Sequence, residues 1–119
     1  MAKVLLVEDT PECRILAVAT LTHKGHEVIE AKDGSEGLEA IAQNPKIALV
    51  DYNMPVMDGY EFTRAVRTDD KYALQRDTVL IGIGDFPVNK REFLTDRRCF
   101  EKPWSLKELI EAVNEYCSV

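Results

Sequence analysis

Residues 47–59, IALVDYNMPVMDG, consist of four apolar residues, an aspartate, and a loop that contains proline and glycine. An apolar run of this length, bounded by loop residues, predicts a short strand buried inside a parallel sheet. The run ends at Asp51, and an ionised carboxylate beside a buried strand is unfavourable unless a cation or hydrogen-bond donors meet it. A lone aspartate at such a place is more often a helix cap or a solvated residue. The other segments therefore decide whether Asp51 belongs to a functional site.

The composition is that of one globular domain, which we place at residues 1–119. Hydrophobic residues make up 45% of the chain and charged residues 30%, and this length suffices for a core without disulfide or metal support. The net charge of −6 argues against general binding of nucleic acid. We expect no secretory signal, because residues 1–3 lead directly into a short apolar run, and the sequence contains no apolar run of about 20 residues. We therefore expect a cytoplasmic protein that does not interact with membranes.

The cysteines and histidines give no sign of a disulfide framework or a zinc site. The three cysteines, Cys13, Cys99 and Cys117, form no C-x-x-C pair and are expected to be reduced thiols. His23 and His26 have no cysteine or carboxylate cluster beside them, so we expect exposed polar residues rather than metal ligands.

Hydrophobic periodicity predicts alternating strands and helices. Five short strands are expected, at residues 3–7, 27–31, 47–51, 78–83 and 99–101. Three of the helices between and after them begin with capping pairs, namely Asp33/Glu36, Asp58/Glu61 and Ser105/Glu108. Proline suits the first turn of the first helix, whose apolar stripe is predicted to be Cys13, Leu16, Ala17, Thr20 and Leu21. Residues 88–95 have room only for a short fourth helix. Such alternation predicts an α/β protein with a doubly wound parallel sheet.

Charged residues follow several of the predicted strands. Glu8 and Asp9 come after the first strand, Asp51 ends the third, and Lys102 follows the fifth. Ligands of open parallel sheets bind outside the carboxyl ends of the strands, so these side chains are expected at one edge of the sheet. Gathered carboxylates repel each other unless a cation lies among them, and oxygen ligands favour Mg²⁺. The predicted ligands are Glu8, Asp9, Asp51 and the backbone carbonyl of Asn53.

This arrangement favours phosphoryl chemistry at Asp51. A carboxylate can attack phosphorus and form an aspartyl phosphate. Mg²⁺ and a lysine then neutralise charge on the transferred group. We therefore assign Asp51 as the phosphoacceptor and Lys102 as the fixed positive charge.

The chain resembles the receiver domains of two-component response regulators over essentially its whole length. The resemblance lies in Glu8-Asp9, in Asp51 with the motif N-M-P-x-M-D-G, and in Lys102-Pro103. It implies a flavodoxin-like sheet of strand order 2-1-3-4-5 with about five helices, and a cis peptide bond between Lys102 and Pro103. It also implies a signalling protein rather than an enzyme, with a histidine kinase or phosphotransfer protein as phosphoryl donor. A downstream protein is expected on the face of the fourth helix, fifth strand and fifth helix, where an exposed Trp104 would mark a docking site.

Three positions depart from the family pattern. Where receivers carry threonine or serine at the end of the fourth strand, this chain has Gly84, or Ile83 in a register shifted by one. Cys99 stands in place of the usual aromatic residue three positions before the lysine. Asp85 replaces a small residue and either affects the charge of the site or faces solvent. Two outcomes remain open: backbone N–H groups of residues 82–84 replace the hydroxyl, or the hydroxyl-dependent switch is lost.

Two other functions are compatible with parts of the sequence. One is a binding module that shares the fold but acts without phosphorylation. The other is a phosphatase of the haloacid-dehalogenase kind, which also places a nucleophilic aspartate after a strand. The phosphatase is disfavoured because Asn53 stands where a second acid is required and because Asp51 follows the third strand rather than the first.

Overall fold

The computed structural model describes residues 2–117 and contains a four-stranded parallel sheet with helices on both of its faces. The strands are β1 (Lys3–Val7), β2 (Glu27–Ala31), β3 (Ile47–Val50) and β4 (Val79–Gly82). The helices are α1 (Pro11–His23), α2 (Gly34–Ala40), α3 (Gly59–Thr68) and α4 (Leu106–Cys117). The strand order is β2-β1-β3-β4, which confirms the predicted order for the first four strands. None of the helices within residues 2–117 is long and apolar enough to span a lipid bilayer.

The register of the sheet brings three loops to one level. Val7 at the end of β1 pairs with Val50 at the end of β3, and Val50 pairs with Gly82 at the end of β4. All of these pairs are parallel, so the chain leaves the sheet on the same side after each strand. This alignment places the loops that carry the predicted site residues next to one another.

The sheet is sandwiched between two apolar layers. Residues 4–7 of β1 and 47–50 of β3 are fully buried. One face packs against α1 and α4 through a cluster that includes Leu21 and Leu109. The other packs against α2 and α3 through a cluster that includes Phe62. Burial of each large side chain contributes roughly 1.5–3 kcal/mol, and the rigid sheet that results fixes the positions of the loops.

The predicted apolar stripe of α1 is only partly correct. Ala17 and Leu21 are buried, whereas Leu16 is 48% exposed and Cys13 is half-buried. Successive helix residues lie about 100° apart around the axis. A narrow contact centred on Ala17 and Leu21 therefore leaves Leu16 on the flank of the helix.

The predicted helix starts agree with the structure. Asp58 and Glu61 form a full capping box, in which the Asp58 carboxylate accepts from the Glu61 N–H at 2.8 Å and the Glu61 carboxylate accepts from the Asp58 N–H at 3.1 Å. Asp33 likewise accepts from the N–H of Glu36 at 2.8 Å. Such caps satisfy backbone donors that a helix leaves unpaired at its start.

The structure corrects the prediction of a fifth strand at residues 99–101. This strand is reduced to one parallel bridge between Cys99 and Gly82, supported by a bond from the Gly82 N–H to the Arg98 carbonyl at 3.1 Å. A 3₁₀ turn at Thr95–Arg97 immediately precedes it. Because the chain becomes extended only after this turn, it forms a single bridge with β4 and no continuous row of strand hydrogen bonds.

The region of the predicted fourth helix contains two 3₁₀ turns, Val88–Lys90 and Thr95–Arg97, and no α-helix. The Thr95 hydroxyl accepts from the backbone N–H of Leu80 at 3.0 Å and from the Arg67 guanidinium at 3.2 Å. A side chain, rather than a strand, thus covers this part of β4.

The prediction that His26 is exposed is wrong. His26 is buried and lies immediately before β2. Its Nδ1 accepts a hydrogen bond from the Ala2 N–H at 3.2 Å, and burial lowers its pKa. His23, at the end of α1, is exposed as expected. Cys13 and Cys99 are free thiols, while the Cys117 side chain lies outside the described part of the chain.

Candidate functional site

Three carboxylates meet where β1 and β3 end. Oxygen atoms of Glu8, Asp9 and Asp51 all lie within 4.8 Å of one another. Glu8 is fully buried and Asp51 is 5% exposed, whereas Asp9 is half-buried. Glu8 and Asp9 directly follow β1, and Asp51 directly follows β3. The register of the sheet therefore explains why acids more than forty positions apart in the chain share one site.

Lys102 reaches into this cluster from the loop before α4. Its Nζ lies 2.6 Å from Glu8 Oε1 and 3.1 Å from Asp51 Oδ2. Burial acts to lower the pKa of Lys102, but the contacts with Glu8 and Asp51 outweigh burial and leave its pKa above the ordinary value. The Lys102–Pro103 peptide bond is cis, as expected. A charged ammonium is therefore held beside the Asp51 carboxylate.

Glu8 is the most perturbed acid of the site. Burial raises its pKa to about 7, although Lys102 and the Thr10 N–H act to lower it. Its Oε2 accepts from that N–H at 3.1 Å. Its buried Oε1 meets Lys102 as an ion pair, and within residues 2–117 it receives no hydrogen bond of good geometry. Once Glu8 is ionised, a buried oxygen that lacks a directed hydrogen-bond donor is suited to coordination of a cation.

The donor set of the cluster fits a hard divalent ion. Glu8, Asp9 and Asp51 supply only oxygen atoms, which Mg²⁺ prefers. Asn53 lines the same cavity of about 300 Å³ as Asp9 and Asp51. The structure thus places together all four residues that were predicted to hold a metal.

Asp51 is held tightly on the side opposite Lys102. Its Oδ1 accepts from the Tyr52 N–H at 2.8 Å. A Cβ atom built on Gly84 would lie 1.8 Å from that same oxygen. The side chain of Ile83 is instead fully buried in the layer between the sheet and helices α1 and α4. Gly84 is therefore the residue that faces the carboxylate, and no hydroxyl group is carried there.

Sequence reasoning missed several residues near the site. Thr10 and Tyr52 line the cavity. They could have been predicted as site residues because they are adjacent in sequence to Asp9 and Asp51. Arg14 donates to the backbone carbonyl of Glu8 at 2.9 Å and thereby supports the turn after β1. A contact of that kind leaves no local mark in the sequence.

Residues of the loop after β4 also make buried contacts that its sequence did not suggest. Phe86 is 2% exposed, and its ring lies 5.2 Å from that of Tyr52. The Phe86 carbonyl accepts from Arg91 at both Nε (3.0 Å) and a terminal nitrogen (2.9 Å). Trp104 is half-buried and donates to the Ile83 carbonyl at 2.5 Å, so it is not the freely exposed docking residue considered above. Asp85 is exposed at the mouth of the cavity.

A parallel α/β sheet with an acidic cluster and a lysine at the carboxyl ends of its strands defines a class of signalling domain. Residues 4–114 match the family model described as the response regulator receiver domain, and the chain belongs to that family. Receiver domains bind Mg²⁺ at an acidic pocket and interact with histidine kinases and phosphotransfer proteins.

Relatives of known name support this assignment. The probable chemotaxis protein CheY of Rhizobium etli is 31% identical over 93% of this chain and 88% of its own length. Protein PilH of Pseudomonas aeruginosa is 34% identical over 96% of each chain. The solved structure of the chemotaxis response regulator CheY4 of Vibrio cholerae is 32% identical over 98% of each chain, with a TM-score of 0.74.

Proposed function

We propose that this chain is a single receiver domain, residues 1–119, that accepts a phosphoryl group on Asp51. The donor is a histidine kinase or a phosphotransfer protein, and the signal passes on by protein–protein contact. The observation that carries the proposal is the environment of Asp51, which lies within 4.8 Å of two further carboxylates and 3.1 Å from the Lys102 ammonium. A buried acid beside a fixed cation and a metal-binding cluster is suited to phosphoryl transfer.

The transfer step follows from this environment. An Asp51 carboxylate oxygen attacks the phosphorus of a phosphohistidine, the new P–O bond forms, and the P–N bond breaks so that the imidazole leaves with the bonding electron pair. Lys102 holds positive charge next to the attacking carboxylate and stabilises charge on the transferred group. Mg²⁺ bound by Glu8, Asp9, Asp51 and the Asn53 carbonyl would supply further neutralisation of the phosphoryl oxygens. Attack of water on the phosphorus of the aspartyl phosphate breaks the P–O bond to Asp51, releases inorganic phosphate and returns the free carboxylate.

The direct test uses a small donor in place of the kinase. After treatment with acetyl phosphate and Mg²⁺, mass spectrometry should find one phosphoryl group per chain, located on Asp51. The Asp51→Asn variant should carry none. Labelling of the variant at the wild-type level, or no labelling of the wild-type protein in the presence of Mg²⁺, would refute the proposal.

A second candidate is a binding module that acts without phosphorylation. The observation that favours it is the fixed loop after β4, where Arg91 makes two hydrogen bonds to the Phe86 carbonyl and Gly84 offers no hydroxyl. Beryllofluoride with Mg²⁺ distinguishes the two functions, because it mimics a phosphoryl group on aspartate. A receiver should show shifted amide resonances around Asp51 and residues 83–86, whereas a phosphorylation-independent module should show none.

The downstream surface belongs to the proposal as well. We place the partner on the face formed by residues 88–101 and α4, which corresponds to the fourth helix, fifth strand and fifth helix of the family. In this chain that face is built from 3₁₀ turns and one bridge instead of a regular helix and strand. A partner that reads this face would therefore contact irregular backbone on one half and α4 on the other.

A further inference from the structure

The loop that begins at Ile83, directly after β4, comes close to Asp51 at Gly84. A Cβ on Gly84 would come within 1.8 Å of Asp51 Oδ1 and 3.1 Å of the Tyr52 nitrogen. Ile83 extends the sheet by one bond, from its N–H to the Val50 carbonyl at 2.9 Å. This segment thus lies against the acceptor carboxylate at the place where other receivers present a side-chain hydroxyl.

Two side chains from the segment before α4 donate to consecutive carbonyls of this backbone, and the Phe86 N–H also donates to the second of them, that of Gly84, at 2.9 Å. The Trp104 indole N–H donates to the Ile83 carbonyl at 2.5 Å, and the Cys99 thiol donates to the Gly84 carbonyl at 2.7 Å. Burial raises the pKa of Cys99, so the sulfur keeps its proton and remains a donor at neutral pH. Neither contact involves a metal ligand.

Holding these carbonyls also orients the N–H groups of the same peptide units. The bond between Lys102 and Pro103 is the only cis peptide within residues 2–117, so the peptides after Ile83 and Gly84 are trans. In a trans peptide the N–H points opposite to the C=O. The N–H groups of Gly84 and Asp85 therefore point away from Trp104 and Cys99. Within residues 2–117 neither N–H donates a hydrogen bond.

We propose that Trp104 and Cys99 are positioning residues for phosphoryl transfer. By holding the carbonyls of Ile83 and Gly84, they fix the N–H groups of Gly84 and Asp85 as donors to the phosphoryl group on Asp51. This backbone pair replaces the hydroxyl that receivers usually carry at the end of the fourth strand. The inference rests on the proposed function, since it assumes that Asp51 is the acceptor.

The space beside Gly82 also accounts for a small residue at position 99. Gly82 leaves space that a Cβ would fill, with Cys99 Sγ only 3.1 Å from the built atom. An aromatic side chain at position 99 would have to compete for that space with Phe86, whose Cδ1 lies 3.0 Å from the same atom. A small residue with a donor at its tip is therefore suited to position 99.

The test compares beryllofluoride binding with Mg²⁺ binding in matched variants. Cys99→Ala removes the donor, Cys99→Ser keeps one, and Trp104→Phe keeps an aromatic ring but loses the N–H. By ¹H–¹⁵N NMR titration at saturating Mg²⁺, Cys99→Ala and Trp104→Phe should bind beryllofluoride about three- to tenfold more weakly, the range expected for one hydrogen bond. Their affinity for Mg²⁺ alone should stay within about twofold of wild type. Cys99→Ser should bind beryllofluoride close to the wild-type level.

Two controls separate positioning from general stability. Tyr116→Phe removes the hydrogen bond from Tyr116 to Asp96, two residues that do not line the site cavity, and should lower the melting temperature without weakening beryllofluoride binding. In the wild-type protein the amide protons of Gly84 and Asp85 should move downfield when beryllofluoride binds.

Different results would refute the positioning role of Trp104 and Cys99 and the proposed phosphorylation of Asp51. Wild-type binding of beryllofluoride by Cys99→Ala and Trp104→Phe, or an equal loss of affinity for Mg²⁺ and beryllofluoride, would show that these residues have no positioning role. Failure of the wild-type protein itself to accept a phosphoryl group on Asp51 would instead refute the proposed function.

Discussion

At the scale of single residues, the close approach of Gly84 to Asp51 has the sharpest consequence. Restoring a hydroxyl by Gly84→Thr looks, from the sequence, like a repair of the family pattern. The structure argues otherwise, because any Cβ at position 84 would overlap Asp51 Oδ1 at 1.8 Å. The carboxylate would have to leave its present position before a side chain could enter.

Gly84→Ala is therefore expected to slow phosphorylation of Asp51 by at least about tenfold, since a displacement of the order of 1 Å is costly for a positioned nucleophile. The rate of labelling by acetyl phosphate, followed by mass spectrometry, measures this effect. Val88→Ala is the control, because Val88 is exposed and does not line the cavity around Asp51. Labelling of Gly84→Ala at the wild-type rate would mean that Asp51 moves freely.

Glu8 leads to a prediction about pH. Burial raises its pKa to about 7 from 4.5, so folding favours the protonated form of this group. In the metal-free protein its contribution to stability is fully present below the unfolded pKa and is lost as the pH rises through about 7. Mg²⁺ requires the ionised carboxylate, so affinity for Mg²⁺ should rise over the same interval.

Calorimetric titration with Mg²⁺ at about pH 6 and about pH 8, on either side of this pKa, tests that prediction. The wild-type protein should bind more tightly at the higher pH. Glu8→Gln should bind more weakly at both values and should show a flatter dependence on pH. An equally steep dependence in Glu8→Gln would assign the titration to another group.

At the scale of elements, Arg67 of α3 connects its helix to two other segments of the chain. Its guanidinium donates to the carbonyls of Arg76 and Thr78 at 2.7 and 2.8 Å and to the Thr95 hydroxyl at 3.2 Å. One side chain thus joins α3 to the segment just before β4 and to the 3₁₀ turn that contains Thr95.

Arg67→Met should lower the free energy of unfolding by about 2–4 kcal/mol, because several hydrogen bonds are lost and carbonyl groups are left without partners. Urea denaturation measures the change. Arg64→Met is the control on the same helix, since Arg64 is exposed, and its effect should stay within about 0.5 kcal/mol. Equal effects of the two substitutions would contradict the bridging role of Arg67.

Elements with local causes could be predicted from the sequence, and those with tertiary causes could not. The capping box of Asp58 and Glu61 was recognisable because both partners lie within four residues. The third strand was recognisable from its apolar run. The loss of the fifth strand depends on how Thr95 meets Leu80 of β4, a contact across fifteen positions that no local pattern encodes.

The same distinction applies to the candidate site. Glu8, Asp9, Asp51 and Lys102 could be brought together on paper because parallel strands share one edge for their carboxyl ends. The direction in which Gly84 faces could not be assigned, since a register shift of one residue reverses it. The contact of Trp104 with the Ile83 carbonyl joins residues twenty-one positions apart and became visible only in three dimensions.

At the scale of the whole molecule, the acidic cluster should couple metal binding to stability. Glu8, Asp9 and Asp51 converge only in the folded chain, so Mg²⁺ should bind the native state and hardly the unfolded one. At one hundred times its dissociation constant, such a ligand adds about 2.7 kcal/mol of stability. A rise in melting temperature of the order of 10 °C is expected at this chain length.

Differential scanning calorimetry with increasing Mg²⁺ checks the size of this coupling. Asp9→Asn removes one anionic ligand at a half-buried position and should reduce the gain at a given Mg²⁺ concentration. The same gain in the variant as in the wild-type protein would place the ion somewhere other than this cluster.

The Thr95 hydroxyl, which accepts the backbone N–H of Leu80, should reduce self-association of the protein. A strand at the margin of a sheet presents free donors and acceptors to any extended segment that approaches, and such margins are where chains join into aggregates. Here one donor of β4 is already occupied by a side chain, and the bridge at Cys99 occupies Gly82. Because only one bridge stands in place of a fifth strand, β4 would otherwise leave its outer backbone groups unpaired. The Thr95 side chain therefore helps to prevent association between copies of the protein through this edge.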